Sequence, residues 1–145
     1  MKLLIIAKRL LPPMWFGIVA AIAAESWLKF QAPGITRELG LGIGKIIFTT
    51  LNRTEIVLAI VLAAAIFVVR SSKAQRIVFV MIAVILAVQT TWLFPRLVAR
   101  IDVIASGQTP PDSVLHFFYI AMEAAKLVLL LALSILINGL EPGPG

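Results

Sequence analysis

Four long apolar runs, separated by short polar breaks, make up most of the chain. A helix needs about 20 mostly apolar residues to cross the ~30 Å hydrocarbon core of a bilayer. The first run, LPPMWFGIVAAIAAESWLKF, extends from Leu11 to Phe30 and stops at Ala32-Pro33-Gly34. Pro12 and Pro13 suit a first helical turn, where a proline loses no needed hydrogen bond. The second run, Ile56 to Val69, follows GIGKIIFTTLNRTE, which has no breaker after Gly44. One helix from about Gly42 is therefore expected, longer than the core and so tilted or projecting. The third run, Ile77 to Phe94, meets Pro95, yet Leu97, Val98, Ile101 and Ile104 keep helical spacing. That pattern predicts a kinked continuation ending near Gly107. The fourth run, Ser113 to Gly139, starts after Pro110 and Pro111, with Asp112 or Ser113 as cap. The tail from Glu141 onward, rich in proline and glycine, is expected to be disordered.

The fold these runs predict is all-α: a polytopic transmembrane four-helix bundle in a single domain, 1–145. Its spans are about 11–31, 44–70, 76–95 continuing as helix to about 105, and 113–139, with helices two and three extended beyond the membrane. An alternative reads residues 1–24 as a secretory signal, but Lys8 and Arg9 split its apolar part and two prolines follow. The small residues Ala20, Ala21, Ala23, Ala24 and Ala63 to Ala65 would let helices approach closely.

Composition narrows the function. The chain is 61% hydrophobic and 14% charged, against about 45–50% and 25% in soluble domains. It has no cysteine, which removes disulfides, thiolate metal sites and cysteine nucleophiles. The single histidine, His116, excludes a bis-histidine haem within one chain. No cofactor and no metal are expected. The net charge of +6 flanks the apolar runs, as at membrane surfaces, so nucleic acid is not an expected partner.

Charge also orients the chain. Lys2, Lys8, Arg9, Arg70, Lys73 and Arg76 fall on one side, opposed only by Glu141. Arg37, Lys45, Arg53, Arg96 and Arg100 fall on the other, mixed with Glu38, Glu55, Asp102 and Asp112. The purely basic side is the cytoplasmic candidate, with both termini there, in a bacterial inner membrane.

Ionisable groups inside a membrane are costly and usually face protein or water. Glu25 and Lys29 lie four apart on one face of span one; Glu123 and Lys126 lie three apart on span four. Arg53 and Glu55, two apart, point in different directions. Arg96 and Arg100 leave span three on one face, and Gln89, Thr90 and Thr91 add polarity there. By depth, Glu25, Lys29, Arg53, Glu55, Arg96, His116 and Glu123 all fall in the extracytoplasmic half or at its surface, with Lys126 nearest the midplane. The polarised distribution predicts a buried cluster opening outward. The plainer reading is structural: such pairs fix helix register, while Lys29 and Arg96 snorkel to the interface.

Other signals carry less. GLGIGK, with Gly40, Gly42, Gly44 and Lys45, lacks the preceding strand and following Ser or Thr of a nucleotide loop, and reads as a flexible entry to helix two. Trp15, Trp27, Trp92 and Tyr119 are read as interfacial aromatics. No HExxH, GxSxG or Ser/His/Asp set occurs.

The segment AESWLKFQAPGITRELGLGIGKIIFTTLNRTE, with LFPRLVARIDVIASGQTPPDSVLHFFYIAMEAAKLVLLLAL, resembles the transmembrane protein 205-like domain family. The likeness rests mainly on S-x-x-H-x-x-Y-x-x-x-E-x-x-K in span four, matched by Ser113, His116, Tyr119, Glu123 and Lys126. It implies four spans and points to those polar residues, with no settled activity.

The first functional reading is a non-enzymatic accessory or assembly subunit of a larger membrane complex, with the lipid bilayer and other membrane subunits as partners. The second is a small homo-oligomeric transporter or channel, with Glu25, Glu55 and Glu123 as proton or cation sites and Lys126 and Arg53 as charge partners. A membrane enzyme acting on lipid or quinone ranks last, for want of a nucleophile or metal set.

Overall fold

The computed structural model describes residues 1–109, 111 and 113–139. Five helices follow in order: α1 Lys2–Leu28, α2 Arg37–Val68, α3 Lys73–Val88, α4 Phe94–Ala105 and α5 Leu115–Asn138. A 3-10 turn, Lys29–Gln31, extends α1, and a π turn, Gln89–Leu93, joins α3 to α4 without a break. The described residues contain no strand. The four continuous stretches Lys2–Gln31, Arg37–Val68, Lys73–Ala105 and Leu115–Asn138 are each long and apolar enough to cross a bilayer. The fold is an all-α transmembrane four-helix bundle, and the protein is an integral membrane protein. At 1.5 Å per residue, α2 and the α3–α4 rod run to roughly 50 Å, so both extend beyond a ~30 Å core.

Helix α1 packs between α2 and α5, and α3 packs against α5 and α2. The helices run up and down, so the start of α1 and the end of α5 share one end, called here the terminal end. Three cross-links tie that end together. Lys8 Nζ donates to the Arg70 carbonyl (2.8 Å), Gln75 Nε2 to the Leu136 carbonyl (2.7 Å) and Asn138 Nδ2 to the Arg9 carbonyl (3.0 Å). Between that end and mid-depth, Leu58, Leu62, Ile66, Phe79, Ile82, Leu130 and Leu133 form a continuous apolar core. At the far end, Lys45 of α2 pairs with Asp102 of α4 at 2.5 Å.

Two local expectations are corrected, and a third is met in a particular way. Helix α1 starts at Lys2, so Pro12 and Pro13 lie inside it rather than in its first turn. The run KLLIIAKRLL contains no breaker, and the helix continues through the prolines because their cost is met elsewhere. Pro13 cannot donate to the Arg9 carbonyl four residues back, and the side chain of Asn138 fills that acceptor. Next, Gly40, Gly42 and Gly44 are helical and not a flexible entry. Gly40 lies against the Phe30 ring, and a Cβ at Gly44 would sit 3.1 Å from Lys29 Nζ, so glycine lets the end of α1 pack onto α2. Finally, the third helix does continue past Pro95, but through a π turn. The Phe94 N–H bonds to the Gln89 carbonyl, five residues back, which accommodates the donor missing at Pro95.

Caps set the helix starts. Thr36 Oγ1 accepts from the Leu39 N–H at 3.2 Å, and Ser72 and Gln75 form a capping box. The N-cap of α5 is Val114, without a side-chain cap, although the Ser113 hydroxyl accepts from the Leu115 N–H at 3.2 Å; Asp112, the other expected cap, and the tail from Leu140 onward lie outside the described residues.

Candidate functional site

Helices α1, α2 and α5 and the π turn each direct a polar side chain to one point about 18–24 Å from the terminal end, counted at 1.5 Å per residue. Lys126 of α5 is fully buried and Glu55 of α2 is 1% exposed. Their charged atoms are 2.5 Å apart. Lys126 Nζ also donates to Gln89 Oε1 (2.9 Å) and Glu123 Oε1 (3.0 Å). An ammonium has three donors and no acceptor, so Glu55, Gln89 and Glu123 satisfy it completely. Glu55 Oε1 accepts a further bond from Trp15 Nε1 at 2.8 Å, and Gln89 Nε2 donates to Glu123 Oε1 at 2.9 Å. Alongside, Asn52 Nδ2 donates to Thr90 Oγ1 at 2.8 Å, fastening α2 to the π turn.

Glu123 Oε2 is buried and takes no bond from Lys126 or Gln89; the Tyr119 phenol is the donor beside Glu123, whose side chain is 12% exposed and lines a groove. Two carboxylates share one ammonium, so the fully ionised triad holds one excess negative charge within the membrane. Breaking a buried pair costs about 3–5 kcal/mol because the remaining charge is stranded. The triad is neutral once a single proton or monovalent cation is added, and Glu123 is the member of the triad that lines the groove.

The groove opens toward the far end, where the helices diverge around about 730 Å³. Its walls are mainly apolar, including Phe30, Phe48, Leu97, Ile101, Ile120 and Leu127. Tyr119 is buried edge-on against Phe48 (ring centroids 5.4 Å apart), and its phenol lies beside Glu123 one turn on. Lys29 Nζ sits 5.6 Å from the Phe48 ring centre and 3.6 Å from Glu25 Oε2.

The expected cluster is thus divided. Glu55, Tyr119, Glu123 and Lys126 come together, with Tyr119 and Glu123 lining the groove and Glu55 and Lys126 buried behind them. Glu25 and Lys29 form a separate pair higher on α1. His116 is exposed on the groove wall, without a side-chain hydrogen bond among the described residues. Arg53 and Arg96 do not join. Arg53 is exposed on the face of α2 that Glu55 leaves, and Arg96 stacks over the Trp92 ring at 4.7 Å. Both are exposed on the outside of the bundle.

Trp15 and Tyr119 are buried rather than interfacial. Starting α1 at Leu11 puts Trp15 near a span end; starting it at Lys2 carries it to mid-depth, where a buried indole N–H requires an acceptor. The sequence signal for Gln89 is the polar step Gln89-Thr90-Thr91 in an otherwise apolar run before Pro95. Among the described residues, no group of three or more His, Cys, Asp or Glu side chains could hold a metal. No protein-family model, curated protein or solved structure matches this chain.

Proposed function

We propose that this is a non-enzymatic membrane protein that takes up a proton or monovalent cation on the Glu55–Lys126–Glu123 triad, as the ion-binding element of a small oligomeric ion- or proton-coupled transporter. The observation that carries this reading is the excess carboxylate of the triad: two carboxylates share one ammonium, and Glu123 lines an open groove. An intramembrane ionisable residue is a functional-site hypothesis by default. Access is one-sided: apolar side chains fill the bundle from the triad to the terminal end. Transport through the bilayer therefore needs a second conformation or a second copy. The resemblance to the transmembrane protein 205-like domain supports the same residues, since Glu123 and Lys126 close its span-four motif.

The test is proton flux into proteoliposomes under an imposed gradient, together with infrared difference spectra of the carboxyl region as pH is stepped. Glu123→Gln abolishes both the flux and the titrating carboxyl band under this reading. A band and a flux unchanged in Glu123→Gln overturn it.

A second reading, the accessory or assembly subunit, draws on α1. Gly17, Ala21 and Ala24 are exposed along one face, and small residues at such spacing allow close contact between membrane helices. Native mass spectrometry from a gentle detergent separates the two readings: a fixed stoichiometry with other subunits favours the second, a homo-oligomer the first.

The terminal end carries Lys2, Lys8, Arg9, Arg70, Lys73 and Arg76. The positive-inside bias supports a cytoplasmic position for that end and for both termini, in a bacterial inner membrane.

A further inference from the structure

Two cavities meet at the far end. The apolar groove is one; a smaller cleft of about 310 Å³ is the other, lined by polar groups that include Glu38, Gln108 and Thr109. Arg37, at the start of α2, and Arg100, on α4, line both. The space they enclose is amphiphilic: a polar cleft, a pair of guanidinium groups at the junction, and an apolar channel leading inward.

The depths match a lipid leaflet. Along the helices, Arg37 and Arg100 lie roughly 40–46 Å from the terminal end, at headgroup level for a bilayer about 40–45 Å thick overall. The groove then descends to Glu123 and Leu127 near mid-depth. Charge restricts the headgroup. Among the described residues that line the cleft, two guanidinium groups against the carboxylate of Glu38 leave one positive charge, which one phosphodiester neutralises. Arg100 gives one donor to the Pro111 carbonyl, and a guanidinium has five, so donors remain for phosphate oxygens. Guanidinium groups match phosphate geometry in pairs of parallel bonds.

We propose that this junction binds one anionic glycerophospholipid of the surrounding bilayer, with its phosphodiester on Arg37 and Arg100 and an acyl chain in the groove. The lipid closes the groove above Glu123 and sets how freely water reaches the triad. The binding site itself does not depend on the triad being an ion site.

The test is native mass spectrometry of the full chain released from nanodiscs of equal phosphatidylcholine and phosphatidylglycerol. The expected result is one retained phosphatidylglycerol, in preference to phosphatidylcholine. The adduct is lost in R37Q/R100Q and kept in K73Q/R76Q, which removes the same charge from the terminal end. If the double variant fails to fold, R37Q at its exposed position is read in the same way. Equal retention of both lipids, retention unchanged by R37Q, or a free fatty acid in place of the phospholipid overturns the assignment. E123Q leaves the arginine pair intact, so the adduct persists there even if the ion-site reading fails.

Discussion

Lys126 Nζ of α5 and Glu55 Oε1 of α2 meet at 2.5 Å, both out of contact with solvent and lipid. This pair joins two helices whose remaining side chains are mostly apolar. It is the centre of the only polar layer that crosses the described bundle at mid-depth.

Removing the ammonium strands two carboxylates in one pocket. Lys126→Met is expected to destabilise the bundle by about 3–5 kcal/mol, the cost of leaving a buried charge uncompensated. Pairing it with Glu55→Gln removes one of those carboxylates and recovers part of the loss. Unfolding of the purified variants in a common detergent checks both; equal stability of Lys126→Met and the parent would show that the pair is not structural.

The Trp15 indole is expected to report on the same layer. Trp15→Phe deletes one of the hydrogen bonds to Glu55 and should cost about 1–3 kcal/mol. With Trp27 and Trp92 replaced by Phe, the emission of Trp15 should shift on Glu55→Leu, because its N–H loses its acceptor. An unchanged spectrum would remove Trp15 from the network.

Asn138 and Pro13 should be coupled. Asn138→Ala leaves the Arg9 carbonyl without the donor it has at 3.0 Å, a loss of about 0.5–1.5 kcal/mol. In a Pro13→Ala background the residue 13 N–H can take that carbonyl, so the same substitution should cost less. The difference, read as a double-mutant cycle, should exceed that for a distant pair such as Asn138 and Thr36.

The topology can be read with thiol labels, since the chain has no cysteine of its own. Ser72→Cys at the terminal end and Ser106→Cys at the far end should label with an impermeant reagent from opposite faces of sealed vesicles. Labelling of both from one face would contradict four crossings.

Much of this was legible in the residues. Apolar runs near the bilayer length, broken by Pro-Gly and Pro-Pro, specify helices that cross a membrane, because no other open-chain structure satisfies its backbone there. Helical spacing alone places Glu123 and Lys126 on one face. The start of α1 was not legible. A proline is permitted in the first turn and costly in the interior, and the partner that offsets the interior cost, Asn138, lies at the other end of the chain.

Sequence alone determined the fold class and the number of apolar helices long enough to cross, since these follow from local hydropathy and length. Tertiary structure decided which polar groups meet. Glu55 binds Lys126 while Arg53 and Arg96 turn outward, and Gln89 enters at the π turn. That selection depends on how each helix is rotated about its axis and on the register between helices. Both are fixed by contacts among side chains far apart in the chain, which hydropathy does not encode.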